Sequence, residues 1–162
     1  MRLPSGSAAP LAALLLAAIV PRAAAAACRG EISGDIKAKF SCVVTLGPAE
    51  DGTPVFTITP KDVVPDVPVY KPCSFQMPVP VKPGKYGLDD LGMGMASLAI
   101  EGGALYTAAK TSSRRGEVTL ELKSVKPDPA RPGGFIVHGS YRARLVPAGD
   151  GKKGEVVVDV SF

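Results

Sequence analysis

His138 is the only histidine of the 162 residues, and it shares the chemically capable side chains with three cysteines, Cys28, Cys42 and Cys73. A zinc centre needs several Cys, His or carboxylate ligands converging on one ion, and the chain has neither Cys-x-x-Cys nor His-x-x-x-His spacing. A Ser-His-Asp triad requires only one histidine, yet His138 alternates outward between Val137 and Gly139 and no Gly-x-Ser-x-Gly elbow is present. It reads as a surface strand residue, across from Glu121. Asp89-Asp90 are adjacent carboxylates in a Gly-containing stretch; neighbours in sequence rarely converge as an acid–base pair, and calcium-loop spacing is missing. Gly92-Met93-Gly94 lacks the Gly-Lys-Ser/Thr ending and the βαβ context of a phosphate loop. No cofactor and no metal site is expected.

Tyr70, Tyr86 and Tyr106 are the remaining candidates, because tyrosine offers flat apolar area with a hydroxyl at its tip. They define a weak sugar- or peptide-binding platform, although no Trp, the stronger stacking side chain, occurs anywhere. The basic doublets Arg114-Arg115 and Lys152-Lys153 are short and lie beside strands, without the interleaved aromatics of a nucleic-acid surface. Nucleic acid is therefore not an expected partner.

Address follows from the first residues. Arg2, the apolar run Leu11 to Val20 and five alanines ending at Ala27 have the charge, apolar and small-residue order of a secretory signal peptide, 1–27. Ten apolar residues rise about 15 Å as a helix, half of the roughly 30 Å of bilayer hydrocarbon, which argues against a spanning anchor. Without Arg2 and Arg22 the remainder carries 17 Lys and Arg against 15 Asp and Glu, so its net charge is only +2 and demands no polyanion. Export leads to a periplasmic, outer-membrane-tethered or extracellular location.

Cys28 directly follows Ala25-Ala26-Ala27, and this placement resembles that of the acylated cysteine of bacterial lipoproteins, with Ala25 where that pattern usually has Leu. The resemblance covers four residues and implies a lipid on Cys28, the one route by which this chain would meet a membrane. Three cysteines in an oxidising compartment leave one over, and lipidation of Cys28 leaves Cys42 and Cys73 to form a disulfide. Ordinary secretion is the alternative, with Cys28 either paired or free.

The elements that position these residues read as strands. Ile32 to Leu46 alternates with period two and is expected to be one long strand bent near Gly34. Asp51-Gly52 marks a turn into a return strand, Val55 to Thr59. Nine prolines between Pro48 and Pro83 exclude a helix, and within them Cys73 to Val81 fits an edge strand. Lys85 to Gly94 reads as a loop. Met95 to Ile100 and Ala104 to Ala109 form a hairpin, followed by the strands Gly116 to Val125, Phe135 to Val146 and Glu155 to Phe162. Opposing Leu145 to Val156 sets Arg142 across from Asp159 on the outer face.

The expected fold is all-β: one antiparallel β-sandwich domain, 28–162, of about 7–8 strands, with a small β-barrel as the alternative, preceded by the signal-peptide helix. Its expected role is that of a non-catalytic exported envelope or extracellular protein acting in binding, assembly or surface structure through a partner not identified by the sequence. A carbohydrate- or peptide-binding module is the first alternative and a secreted hydrolase around His138 the second. The oligomeric state is left open.

Overall fold

A computed structural model describes residues 27–64, 75–90, 95–100, 104–109, 115–149 and 153–162. Among these the regular structure is entirely strand, in ten segments: β1 (Cys28–Gly34), β2 (Ala38–Pro48), β3 (Pro54–Val64), β4 (Phe75–Pro78), β5 (Gly84–Gly87), β6 (Met95–Ile100), β7 (Ala104–Ala109), β8 (Glu117–Pro127), β9 (Phe135–Pro147) and β10 (Val156–Ser161). The signal segment, Met1 to Ala26, lies outside the described residues, as do Tyr70 and Cys73.

The expected bent strand is instead a hairpin. Ile32 opposes Ala38 and Gly30 opposes Phe40 across a turn of three residues, Asp35 to Lys37. A connection of odd length returns the chain with its parity unchanged, so Ile32, Ala38, Phe40 and Leu46 all face inward although the chain has reversed. Period-two alternation cannot distinguish these two arrangements. The reversal begins at Gly34, whose φ of +99° is readily available only to glycine, and Asp35 N–H is fixed by donating to the Glu155 carbonyl at 3.0 Å.

At the next turn Thr53 N–H donates to the Asp51 carboxylate at 2.9 Å and Gly52 takes φ +81°, as the Asp-Gly pair predicts. The return strand β3 runs past Thr59 through Pro60 to Val64. Val79 N–H donates to the Pro54 carbonyl, so the even positions of β3 turn their backbone polar groups toward β4. Pro60 therefore spares the β2 ladder, and it lies beyond Phe75, where β4 begins. β4 is an edge strand, with the nitrogen of Pro78 on its outer edge.

All pairings are antiparallel. β2 pairs β1, β1 pairs β10 and β10 pairs β9, and a single bridge from Leu46 to Phe135 joins β2 back to β9, closing a small four-stranded barrel. β3 and β4 extend the sheet beyond β2; β8 and β5 extend it beyond β9. The β6–β7 hairpin joins the far end of β9 through Thr107 opposite Val146 and Tyr106 opposite Pro147. The all-β, antiparallel class thus holds, with closure supplying the barrel element of the expected alternatives. Ten strands replace seven or eight because the first splits in two and Gly84–Gly87, read as the start of a loop, pairs with β8.

The last two strands have the expected register, Leu145 opposite Val156 and Arg142 opposite Asp159. Their inward residues, Tyr141, Ala143, Leu145, Val156 and Val158, are at most 1% exposed and join one core with Leu46, Phe56 and Ile58. No polar or charged residue among those described is buried, so apolar burial, worth about 25 cal/mol per Å², is the main contribution holding the interior. Gly139 permits β8 and β9 to close on each other, since a Cβ there would lie 1.9 Å from the Glu121 carbonyl oxygen. Phe56 and Phe162 then meet across the interior with ring centroids 5.3 Å apart.

Candidate functional site

Cys28 and Cys42 are directly opposed in the β1–β2 ladder, with Cα atoms 4.9 Å apart, and they form the disulfide. This corrects the expected Cys42–Cys73 bond. Every β1–β2 pair is symmetric about Asp35, and Cys28 and Cys42 are equally distant from it, so once the strand reverses they must face each other. It also corrects the lipid on Cys28: the thioether would require the sulfur that is bonded to Cys42. A disulfide is consistent with an oxidising compartment.

The tyrosine platform is not assembled as expected. Tyr86 is 7% exposed and its hydroxyl donates to the Lys82 carbonyl at 2.9 Å, while Tyr106 is 9% exposed and donates to the Asp35 carboxylate at 3.2 Å. Both rings belong to the core, because both occupy inward positions of their strands. Burial, reinforced by the Asp35 carboxylate, raises the Tyr106 pKa above the ordinary phenol value. This contact ties β7 to the β1–β2 turn. Tyr70, the third member, lies outside the described residues.

His138 is exposed on β9, as expected, but faces Ser124 rather than Glu121. Glu121 lies opposite Ser140 in the register that runs from Glu117 to Leu122, and a shift between Leu122 and Ser124 leaves Lys123 as an extra residue. Asp89 and Asp90 point to different tasks: Asp90 accepts from Gly87 N–H at 2.8 Å, and Asp89 pairs with Arg115. That pair borders an open groove of about 510 Å³ over Leu88 and Gly116 to Thr119. Among the described residues no three His, Cys, Asp or Glu side chains gather as a cation would require.

A different surface emerges when the outward residues are followed across the strands. Toward the β9–β10 turn two arginines are ion-paired: Arg144 reaches Glu117 at 2.9 Å and Glu155 at 3.5 Å, and Arg142 reaches Asp159 at 3.5 Å, while Lys37, Lys39 and Lys153 at the same end have no ion-pair partner among the described residues. The two carboxylates hold the Arg144 guanidinium still more firmly in its charged form. Toward the opposite end the outward positions carry no charge. Val43 opposes Thr59, Thr45 opposes Thr57 and Gly47 opposes Val55, and the Leu46–Phe135 bridge continues this patch onto Ile136 of β9. Val43 is 40% exposed and the three threonines are partly exposed.

Cations stand at the border of that patch. Arg29 and Lys61 flank Ser41 in the neighbouring row, and Lys123 and Lys126 line its β8 side. None of the four has an ion-pair partner among the described residues. Asp62, at a φ of +47° in an irregular stretch of β3, accepts from the Ser41 hydroxyl at 2.7 Å, and Glu121, Asp128 and the turn residues Glu50 and Asp51 are further carboxylates around this patch. The tyrosine-led reading of the sequence missed this surface, although the alternation Thr57-Ile58-Thr59 opposite Val43-Val44-Thr45 was a signal for it.

Comparisons with protein-family models, with curated proteins and with solved structures find no match for this chain.

Proposed function

We infer that the chain is a non-catalytic protein exported to the cell envelope or the extracellular space, where its outer surface serves binding, assembly or surface structure. The Cys28–Cys42 disulfide carries this reading, because such bonds persist where thiols are not kept reduced. The signal-like order of residues 1–27 supports it: Cys28 follows the alanine run, so removal of the leader would leave the stapled hairpin at the start of the mature chain.

The test is expression of the full chain in a bacterial host, followed by fractionation and intact mass with and without reduction. The expected product lacks the alanine-rich leader, lies outside the cytoplasm and gains two hydrogens at Cys28 and Cys42 on reduction. A full-length cytoplasmic product with both thiols free overturns the reading.

A further inference from the structure

We propose that the β6–β7 hairpin is a strap that opens and closes as a unit on the end of the barrel, latched by the Tyr106–Asp35 hydrogen bond, while the other strands stay folded. This device is independent of the exported role. The hairpin is complete in itself, since Met95 to Ile100 opposes Ala109 to Ala104 without a register shift. Its hold on the rest is small. Among the described residues its ladder to β9 consists of Tyr106 opposite Pro147 and Thr107 opposite Val146, and Pro147 has no N–H to give. β8, by contrast, follows β9 from Glu117 to Pro127. On its other side β6 passes beside β4 without pairing with it.

The apolar hold is also small. The inward positions of the hairpin are Ala96 and Ala108, which oppose each other, and Leu98 and Tyr106, which do the same. Alanine buries little area, so Leu98 and Tyr106 supply most of the burial that keeps the strap down. Two further bonds fix it: Ala148 N–H donates to the Leu105 carbonyl at 2.7 Å, and the Tyr106 hydroxyl donates to the Asp35 carboxylate at 3.2 Å. Asp35 is exposed on the β1–β2 turn, so the latch lies where water can take the place of either partner.

The closed position is nonetheless specific. Ala108 is fully buried against Gly116, just before β8, where an added Cβ would lie 2.6 Å from the Ala108 Cβ. Glycine there lets the strap sit flush. Gly116 also lines the open groove of about 510 Å³ beside Leu88, so lifting Ala108 from its seat extends that groove toward the strap. Elements that open first are those with few buried apolar contacts and exposed hydrogen bonds, and a defined seat makes this one two-state.

Amide hydrogen exchange on the oxidised chain under native conditions tests the proposal. The Ala148 amide reports the docked strap. The Ala143 amide reports the barrel, because alternation from the Gly139–Phe162 pair sets its N–H against Val158. Ala148 is expected to exchange at least about tenfold faster than Ala143, with a shallower but measurable rise in urea, since opening bares Leu98 and Tyr106. Val160→Ala, in the interior opposite Tyr141, should accelerate Ala143 about tenfold and leave Ala148 within about twofold, because Val160 stays packed when the strap opens. Tyr106→Phe should accelerate Ala148 about fivefold, the effect of one lost hydrogen bond. Equal exchange at the two amides, or equal acceleration by Val160→Ala, overturns the proposal, since the hairpin would then open only with the whole chain. Exchange at Ala148 that ignores urea also overturns it, as fraying of the β9 end. Unchanged Ala148 exchange in Tyr106→Phe removes the latch. Should Val160→Ala fail to fold, the two urea slopes of the original chain make the same distinction.

Discussion

Two halves of one outer surface solve the problem of polar exposure differently. Near the β9–β10 turn β8, β9 and β10 set opposite charges across from each other, Glu117 with Arg144 and Arg142 with Asp159, and both arginines are held in ion pairs. Near the β2–β3 turn the outward positions of β2 and β3 carry threonine and valine instead, with Glu50 and Asp51 exposed in the turn itself. Both halves cover the same apolar interior, so core packing does not account for the difference. The lesson is that one apolar interior supports two different outer chemistries, arginine–carboxylate pairs on β8, β9 and β10 and hydroxyls on β2 and β3, because outward positions are free of the packing that fixes the inward ones.

The comparison can be broken most severely at Gly139, where β9 passes from one half to the other. Gly139→Ala forces a Cβ against the Glu121 carbonyl, and a loss of about 3 kcal/mol is expected in urea unfolding, with both halves failing in one transition. Separate transitions would show that the halves are independent units. Opening the Cys28–Cys42 bond, by reduction or by Cys28→Ser/Cys42→Ser, removes a link spanning 14 positions and is expected to cost about 2 to 3 kcal/mol in the same measurement.

Tyr106→Phe tests the tie between the β6–β7 hairpin and the β1–β2 turn, with an expected cost of about 1 kcal/mol for the hydrogen bond to Asp35. Because the folded pKa of Tyr106 is raised, its stabilising contribution is complete below the ordinary value of 10.0 and is lost as pH rises through the higher folded value. The stability gap between original and variant should therefore narrow in strongly alkaline solution, measured by thermal unfolding across that range.

The smallest effects sharpen the contrast between the halves. Arg144→Gln removes two surface ion pairs and should cost less than about 1 kcal/mol, most of it gone at high salt. Thr57→Ala, at an outward position of β3, should change stability by about 0.5 kcal/mol or less in urea unfolding.

Much of the framework was legible because alternation reports burial directly. Val156, Val158 and Val160 face the core, and a slip of one residue would expose them all, which is why the Arg142–Asp159 register could be read in advance. The tyrosines were less legible: Tyr86 and Tyr106 carry hydroxyls that suggest a surface role, but strand parity put them inside, where Lys82 and Asp35 satisfy those hydroxyls. Their inward phase was a better guide than their chemistry.

By itself, the sequence determined an all-β chain, the inward and outward sets of its last strands, and the exclusion of helix from the proline-rich segment. These depend on local geometry, on which residues alternate and which nitrogens lack a hydrogen. Tertiary structure decided that Ile32 to Leu46 folds back on itself, that Cys28 therefore meets Cys42, and that Leu46 reaches Phe135 to close the barrel. Parity is the same for a bent strand and for a hairpin with a three-residue turn. Only the packing of the whole chain, which seats both strands over one apolar interior, selects between them.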